Sequence, residues 1–193
     1  MSVNLVRIGG GVAAIVGGVL GVLASLMAIV FLLPSALTQN PSQAPSSGII
    51  ILTGLLFILA WILVLGGLVG LYASQQAAVG VLGAVGFVIA LAGTVLLVGV
   101  VCVQTFYIPV SGGSGVGRMV TLVAGIVVLV SSIGWFLFGL ATFMARVYPR
   151  PAAILLMVGA VISAFIHLTG GEFIVVAAAI AWLGFFLFRG RGS

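Results

Sequence analysis

The sequence predicts an all-α, polytopic membrane protein: a bundle of six transmembrane helices with both termini in the cytoplasm. Three observations carry that expectation. Of 193 residues, 64% are hydrophobic and 4% charged, against roughly a quarter charged in a soluble domain. The apolar residues fall into six uncharged runs near the ~20 residues that cross a ~30 Å hydrocarbon layer. The arginines are distributed unequally between the two sets of connections.

The first run spans residues 8–33. Arg7 precedes it as in a signal peptide, but the run exceeds a 7–15-residue apolar core and no small-x-small cleavage site follows, so it reads as a retained helix. Residues 34–48 hold three prolines among Ser, Gln and Asn and read as an aqueous loop. The second and third runs, 49–73 and 77–103, are joined through Ser74, Gln75 and Gln76, which read as a tight connection. Residues 104–118 form a second polar, glycine-rich loop before the fourth run at 119–145. The segment ARVYPRP then leads into a fifth run at 151–168, where Pro151 suits a first helical turn because its missing N–H would be unpaired there. The sixth run, 172–188, is short like the fifth, so both are expected nearly upright or as a tight hairpin. The whole chain, 1–193, reads as one integral membrane domain.

With six spans, Arg7, Arg146, Arg150, Arg189 and Arg191 fall on one side and Arg118 alone on the other. The positive-inside rule then places the termini in the cytoplasm, in a bacterial cytoplasmic membrane, and the two long polar loops outside. Tyr72, Tyr148, Phe185, Phe186 and Phe188 fall at the inner boundary, and Phe106 and Tyr107 at the outer one, as an aromatic belt requires. Trp61 departs from that pattern and reads as interhelical packing near mid-span. A faint repeat pairs Trp61 with Trp135, Tyr72 with Tyr148 and Gly83 with Gly159, and would relate the second and third helices to the fourth and fifth in parallel.

Glycine is abundant, and much of it recurs at helix-packing spacing. Ala13, Gly17, Gly21 and Ser25 follow one another every fourth residue in the first helix, and Gly66 and Gly70 repeat the interval in the second. Small residues so spaced let helix backbones approach in lipid, where association depends on van der Waals contact. They are assigned to packing within the chain, with a docking face for another membrane subunit as the alternative. Cys102 lies in an apolar run and reads as a small hydrophobe. The loop sequence SGGSGVGR lacks the Lys-Ser/Thr of a phosphate loop and reads as a linker.

His167 and Glu172 are the residues with acid–base potential, brought close by the turn between the fifth and sixth runs. They are candidates for a ligand site with Arg118, Tyr107 and Gln104; as a structural alternative, Glu172 suits the first turn of a helix and a protonated His167 the last. One His and one Glu fall short of a zinc ligand set, so no metal site is assigned. With no Asp, no Lys and one Glu, neither paired carboxylates nor a Schiff-base lysine is present. Every charged residue sits near a run boundary, whereas proton-coupled carriers keep an ionisable group deep in the membrane. No catalytic residue is assigned, and the chain is expected not to be an enzyme.

The sequence therefore reads as a non-enzymatic accessory or scaffold subunit packing against other membrane proteins. Its expected partners are the lipid bilayer and other membrane subunits or a second copy, not nucleic acid, because the arginines are scattered singly. No cofactor is identified. The alternative is a small-solute binding or transport component. Six helices, cytoplasmic termini, a long outer first loop and a small-residue first helix are similar to the substrate-binding S components of energy-coupling-factor vitamin transporters. That resemblance is one of architecture, and it implies a ligand under the outer loops, near Gln39, Asn40, Gln104, Tyr107, Arg118, His167 and Glu172.

Overall fold

The computed structural model describes residues 2–34, 46–107, 114–165 and 173–189, and among these it is helical almost throughout, with no strand. Helix α1 spans Ser2–Met27 and continues through a wide π turn, Ala28–Leu32. A helical run Ser47–Cys102 follows, broken only at Gly80 and extended by a second π turn, Val103–Tyr107. Its two arms are α2 (47–79) and α3 (81–102). Then come α4 (Ser114–Ala145), α5 (Arg150–Phe165) and α6 (Ile174–Arg189). Three apolar helical runs are long enough to cross a membrane: Arg7–Leu32, Ser47–Tyr107 and Gly117–Ala145.

The run Ser47–Tyr107 comprises 61 residues and would reach about 90 Å if straight. Instead it doubles back. Tyr72 stacks on Phe87 with ring centroids 4.2 Å apart, and Gly54 lies against the Thr105 side chain. Both pairs are centred on the Val79–Gly80 step, so α2 and α3 form an antiparallel hairpin with almost no loop. Gly80 adopts φ 57° and ψ −156°, a conformation open essentially to glycine alone. The reversal is therefore displaced from the connection expected at Ser74–Gln76. Those three residues are helical, and Ser74 and Gln75 are held by side-chain partners on other elements.

Every other sequential pair is antiparallel too. Gly10 meets Gly70 and Gly17 meets Val64 across α1 and α2; Gly86 meets Phe138 and Gly93 meets Ser131 across α3 and α4. Gly139 packs on Met157 between α4 and α5, and Gly159 on Val176 between α5 and α6. Helix α6 then returns to α1, where Gly184 meets Ala14 and Gly11 meets Phe188, closing the six helices into a ring. These contacts need glycine. A methyl group on Gly10 would lie 2.6 Å from the Gly70 Cα, and one on Gly18 2.5 Å from the Ala177 carbonyl. Close backbone approach replaces the missing hydrophobic drive between helices in lipid.

The interior is filled by Phe57, Trp61, Leu68, Trp135, Phe138 and Leu183, all buried. Trp61 meets Phe173 edge to face at 5.2 Å, tying α2 to the start of α6. The outward faces are apolar as well, with Val19, Leu52, Ile62, Val88 and Ile133 among the exposed side chains. A helix apolar all round belongs in a large core or in lipid.

The proposed internal repeat does not survive as a shared depth. Gly93 packs on Ser131, and the hairpin register sets Gly93 opposite Gly66, so Trp135 lies roughly two and a half turns nearer the Gly80 end than Trp61. The matched tryptophans therefore do not share a level along the bundle.

Candidate functional site

Two ends and an interior can be distinguished. The Gly80 end gathers the start of α1, the α2–α3 reversal, the α4–α5 turn and the end of α6. The opposite end holds the two π turns, the start of α4 and Phe173.

Of the candidate ligand residues, Gln104, Tyr107 and Arg118 lie at that opposite end, and all three are exposed. His167 and Glu172 lie outside the described residues, as do Gln39 and Asn40. The structure thus assembles no buried site from Gln104, Tyr107 and Arg118. The small-residue set is placed between helices. Ala13 lies against Gly66, Gly17 against Ala60 and Val64, Gly21 against Ala177, and Gly70 against Gly10. Ser25 is fully buried. The outward stripe of α1 is instead Val12, Val16, Val19, Leu23 and Leu26.

The polar chemistry that sequence reading did not single out is at the Gly80 end. Ser74 Oγ donates to the Leu71 carbonyl at 2.7 Å. Its one proton being used, it accepts from the Tyr148 hydroxyl at 2.6 Å. One helical position on, Gln75 is buried and its Nε2 donates to Thr142 Oγ1 at 2.9 Å. Tyr148 sits on the α4–α5 turn, outside the helices; burial pushes its phenol above the usual 10.0, opposed by the Ser74 hydrogen bond and by the Arg7 charge. The turn closes with Arg146 at φ 56°, while the Pro149 carbonyl accepts from Ala152 N at 3.0 Å to start α5. A polar residue such as Gln75 inside an otherwise apolar run was the available signal for this network.

The interior adds polar atoms without partners. Trp61 Nε1, Trp135 Nε1, Thr53 Oγ1, Thr94 Oγ1, Ser131 Oγ and Gln75 Oε1 are buried with no hydrogen bond. Ser131 and Trp135 share one face of α4, four residues apart, and Thr94 neighbours the Gly93 that packs on Ser131. An indole N–H is a donor only, and leaving such a group unpaired in a dry interior costs about 1–3 kcal/mol.

Among the described residues no group of His, Cys, Asp or Glu has the spacing to hold a metal ion. No protein-family model, curated protein or solved structure matches the chain.

Proposed function

We propose that the chain crosses a membrane six times with both termini in the cytoplasm, and that it is a non-enzymatic accessory or scaffold subunit for other membrane proteins. The topology draws support from the six antiparallel helices and from the gathering of Arg7, Arg146, Arg150 and Arg189 at the Gly80 end, with Arg118 opposite. Helices α5 and α6 have 16 residues each, about 24 Å, and would cross upright with help from their flanks.

The scaffold role is carried by one observation. The half of α4 before its contact with α5 presents Met119, Leu122 and Ile126, at 73, 65 and 64% exposure. It is an apolar surface with room for a neighbouring transmembrane helix, whereas the glycine-lined faces of α1 and α2 are already spent inside the chain. Photo-crosslinking residues placed at Leu122 and Ile126, with Val19 on α1 as control, test it. A discrete crosslinked membrane partner at the α4 positions and none at Val19 supports the role; lipid adducts alone at all three positions end it.

A second reading, a component that binds a small neutral solute, is favoured by the unpaired interior donors. An uncharged molecule bearing carbonyl or ether oxygens would accept from Trp135 Nε1, Thr94 and Ser131 in a site free of charge. Such a ligand would shift the Trp135 fluorescence, and Trp135→Phe would abolish that shift; a spectrum indifferent to every added solute disfavours the reading.

A further inference from the structure

The Gly80 end carries more than an orientation signal. Arg7, Arg146, Arg150 and Arg189 are all exposed there. The chain has one acidic side chain in total, Glu172, which lies outside the described residues. Among the described residues, no carboxylate offsets these four charges.

The arginines are also arranged. The Gly10–Gly70 contact sets Arg7 about level with Ser74 on α2, and Ser74 is bonded to Tyr148. Arg7 therefore approaches Tyr148 from α1, close enough for its charge to act on the phenol. Arg146 and Arg150 flank the same tyrosine from the α4–α5 turn. Arg150 lies over the Phe143 ring, 5.6 Å from its centroid, and Arg189 over Phe185 at 5.9 Å. A guanidinium over an aromatic face keeps its edge N–H donors free for an anion. Tyr148 itself is buried, and in the neutral pair its proton goes to Ser74.

We propose that the corner formed by Arg7, Arg146 and Arg150 above Tyr148 binds the phosphate of an anionic phospholipid headgroup. A phosphodiester carries one negative charge and oxygens that suit the planar fork of a guanidinium. A zwitterionic headgroup would bring an ammonium among three arginines, so the corner selects anionic over zwitterionic lipid. Next to Arg146 and Arg150, the adjacent helices α4 and α5 expose Met144 and Ile154, which suit the acyl chains of the same lipid; a free phosphate has none. The proposal rests on the membrane-spanning reading above, because only then does the corner meet headgroups.

The test is native mass spectrometry of the full chain in a neutral detergent, with phosphatidylglycerol or phosphatidylcholine of matched acyl chains added. Phosphatidylglycerol adducts should persist where phosphatidylcholine adducts strip. Arg7→Gln and Arg150→Gln should each weaken them roughly fivefold, the worth of one arginine near an anionic surface. Arg118→Gln, at the other end, should leave them unchanged, and Arg150→Lys should lose less than Arg150→Gln. Thermal midpoints of the variants identify any that fail to fold, and the lysine variant then carries the test. Equal retention of the two lipids overturns the proposal, as does a loss in Arg118→Gln matching that in Arg7→Gln. Displacement of the lipid by millimolar inorganic phosphate would make this a free-anion site and overturn it too. Reporter fusions at Gly80 and Gly113 decide the topology separately, so a failed lipid preference is not confused with a failed six-span reading.

Discussion

Tyr148 donates its phenolic proton to Ser74 Oγ across 2.6 Å, joining residues 74 positions apart. The bond fastens the α4–α5 turn to the last turns of α2, so the two halves of the ring are latched at the Gly80 end. Because Ser74 gives its own proton to Leu71, the neutral phenol supplies the proton between the two hydroxyls.

Burial of that phenol sets a pH dependence. Burial raises the folded-state pKa of Tyr148 above 10.0, so the folded state favours the neutral phenol more than the unfolded chain does. Its contribution is fully present below pH 10.0 and is lost as pH rises through the folded pKa. Thermal midpoints in detergent should fall across that alkaline range, and Tyr148→Phe should remove this part of the fall while costing about 1 kcal/mol at neutral pH. Identical alkaline profiles for the two proteins would refute the assignment.

The α2–α3 reversal makes a backbone prediction free of packing effects. A methyl group at Gly80 meets nothing within 4 Å, yet the residue holds φ 57°. Gly80→Ala should therefore destabilise by about 1–3 kcal/mol through strain alone. Gly125, also in open space but inside α4, is the contrast: Gly125→Ala should stabilise the fold, by up to ~1 kcal/mol. Two alanines of equal effect would mean that the turn lies elsewhere.

At the α3–α4 seam the limit is volume. A methyl on Gly134 would collide with the Ala90 backbone, where no side chain can swing aside. Gly134→Ala should cost about 1–3 kcal/mol, and Gly99→Ala, with nothing nearby, should not destabilise. Cysteine crosslinking between α3 and α4 reports whether the seam has opened.

The Gln75–Thr142 pair gives a cycle with an unusual sign. Gln75 Oε1 is already unpaired, so Thr142→Val strips the buried amide of its remaining partner at about 1–3 kcal/mol. Adding Gln75→Met removes the orphaned amide. The double variant should be more stable than Thr142→Val alone, and a strictly additive cycle would argue that the hydrogen bond is not formed.

Much of this molecule is written in residue type and spacing. The apolar runs, the prolines at 34–48 and the glycines of α1 match what elementary constraints would require of a chain in lipid: backbone groups satisfied within a helix, and small residues where helices meet. Pro151 marked the start of α5 for the same kind of reason. What those constraints could not locate was the α2–α3 turn. Ser74–Gln76 looked like a loop because polar residues usually mark one, and Gly80 was hidden among many glycines. Only the fold supplies Tyr148 and Thr142 as partners that let Ser74 and Gln75 stay helical.

The site shows the same division. His167 and Glu172 stood out by chemistry, being the one histidine and the one acidic residue of an apolar chain, yet they lie outside the described residues. The corner around Tyr148 stood out by nothing local, since it draws Arg7, Ser74 and Arg150 from widely separated segments. By itself the sequence determined the helical class, the apolar runs and the uneven division of charge, because each depends on the solvation of single residues or on neighbours along one helix. Which helices adjoin, at what depth the tryptophans lie and which arginines converge were decided only by tertiary structure, because these are contacts between segments whose register no local pattern records.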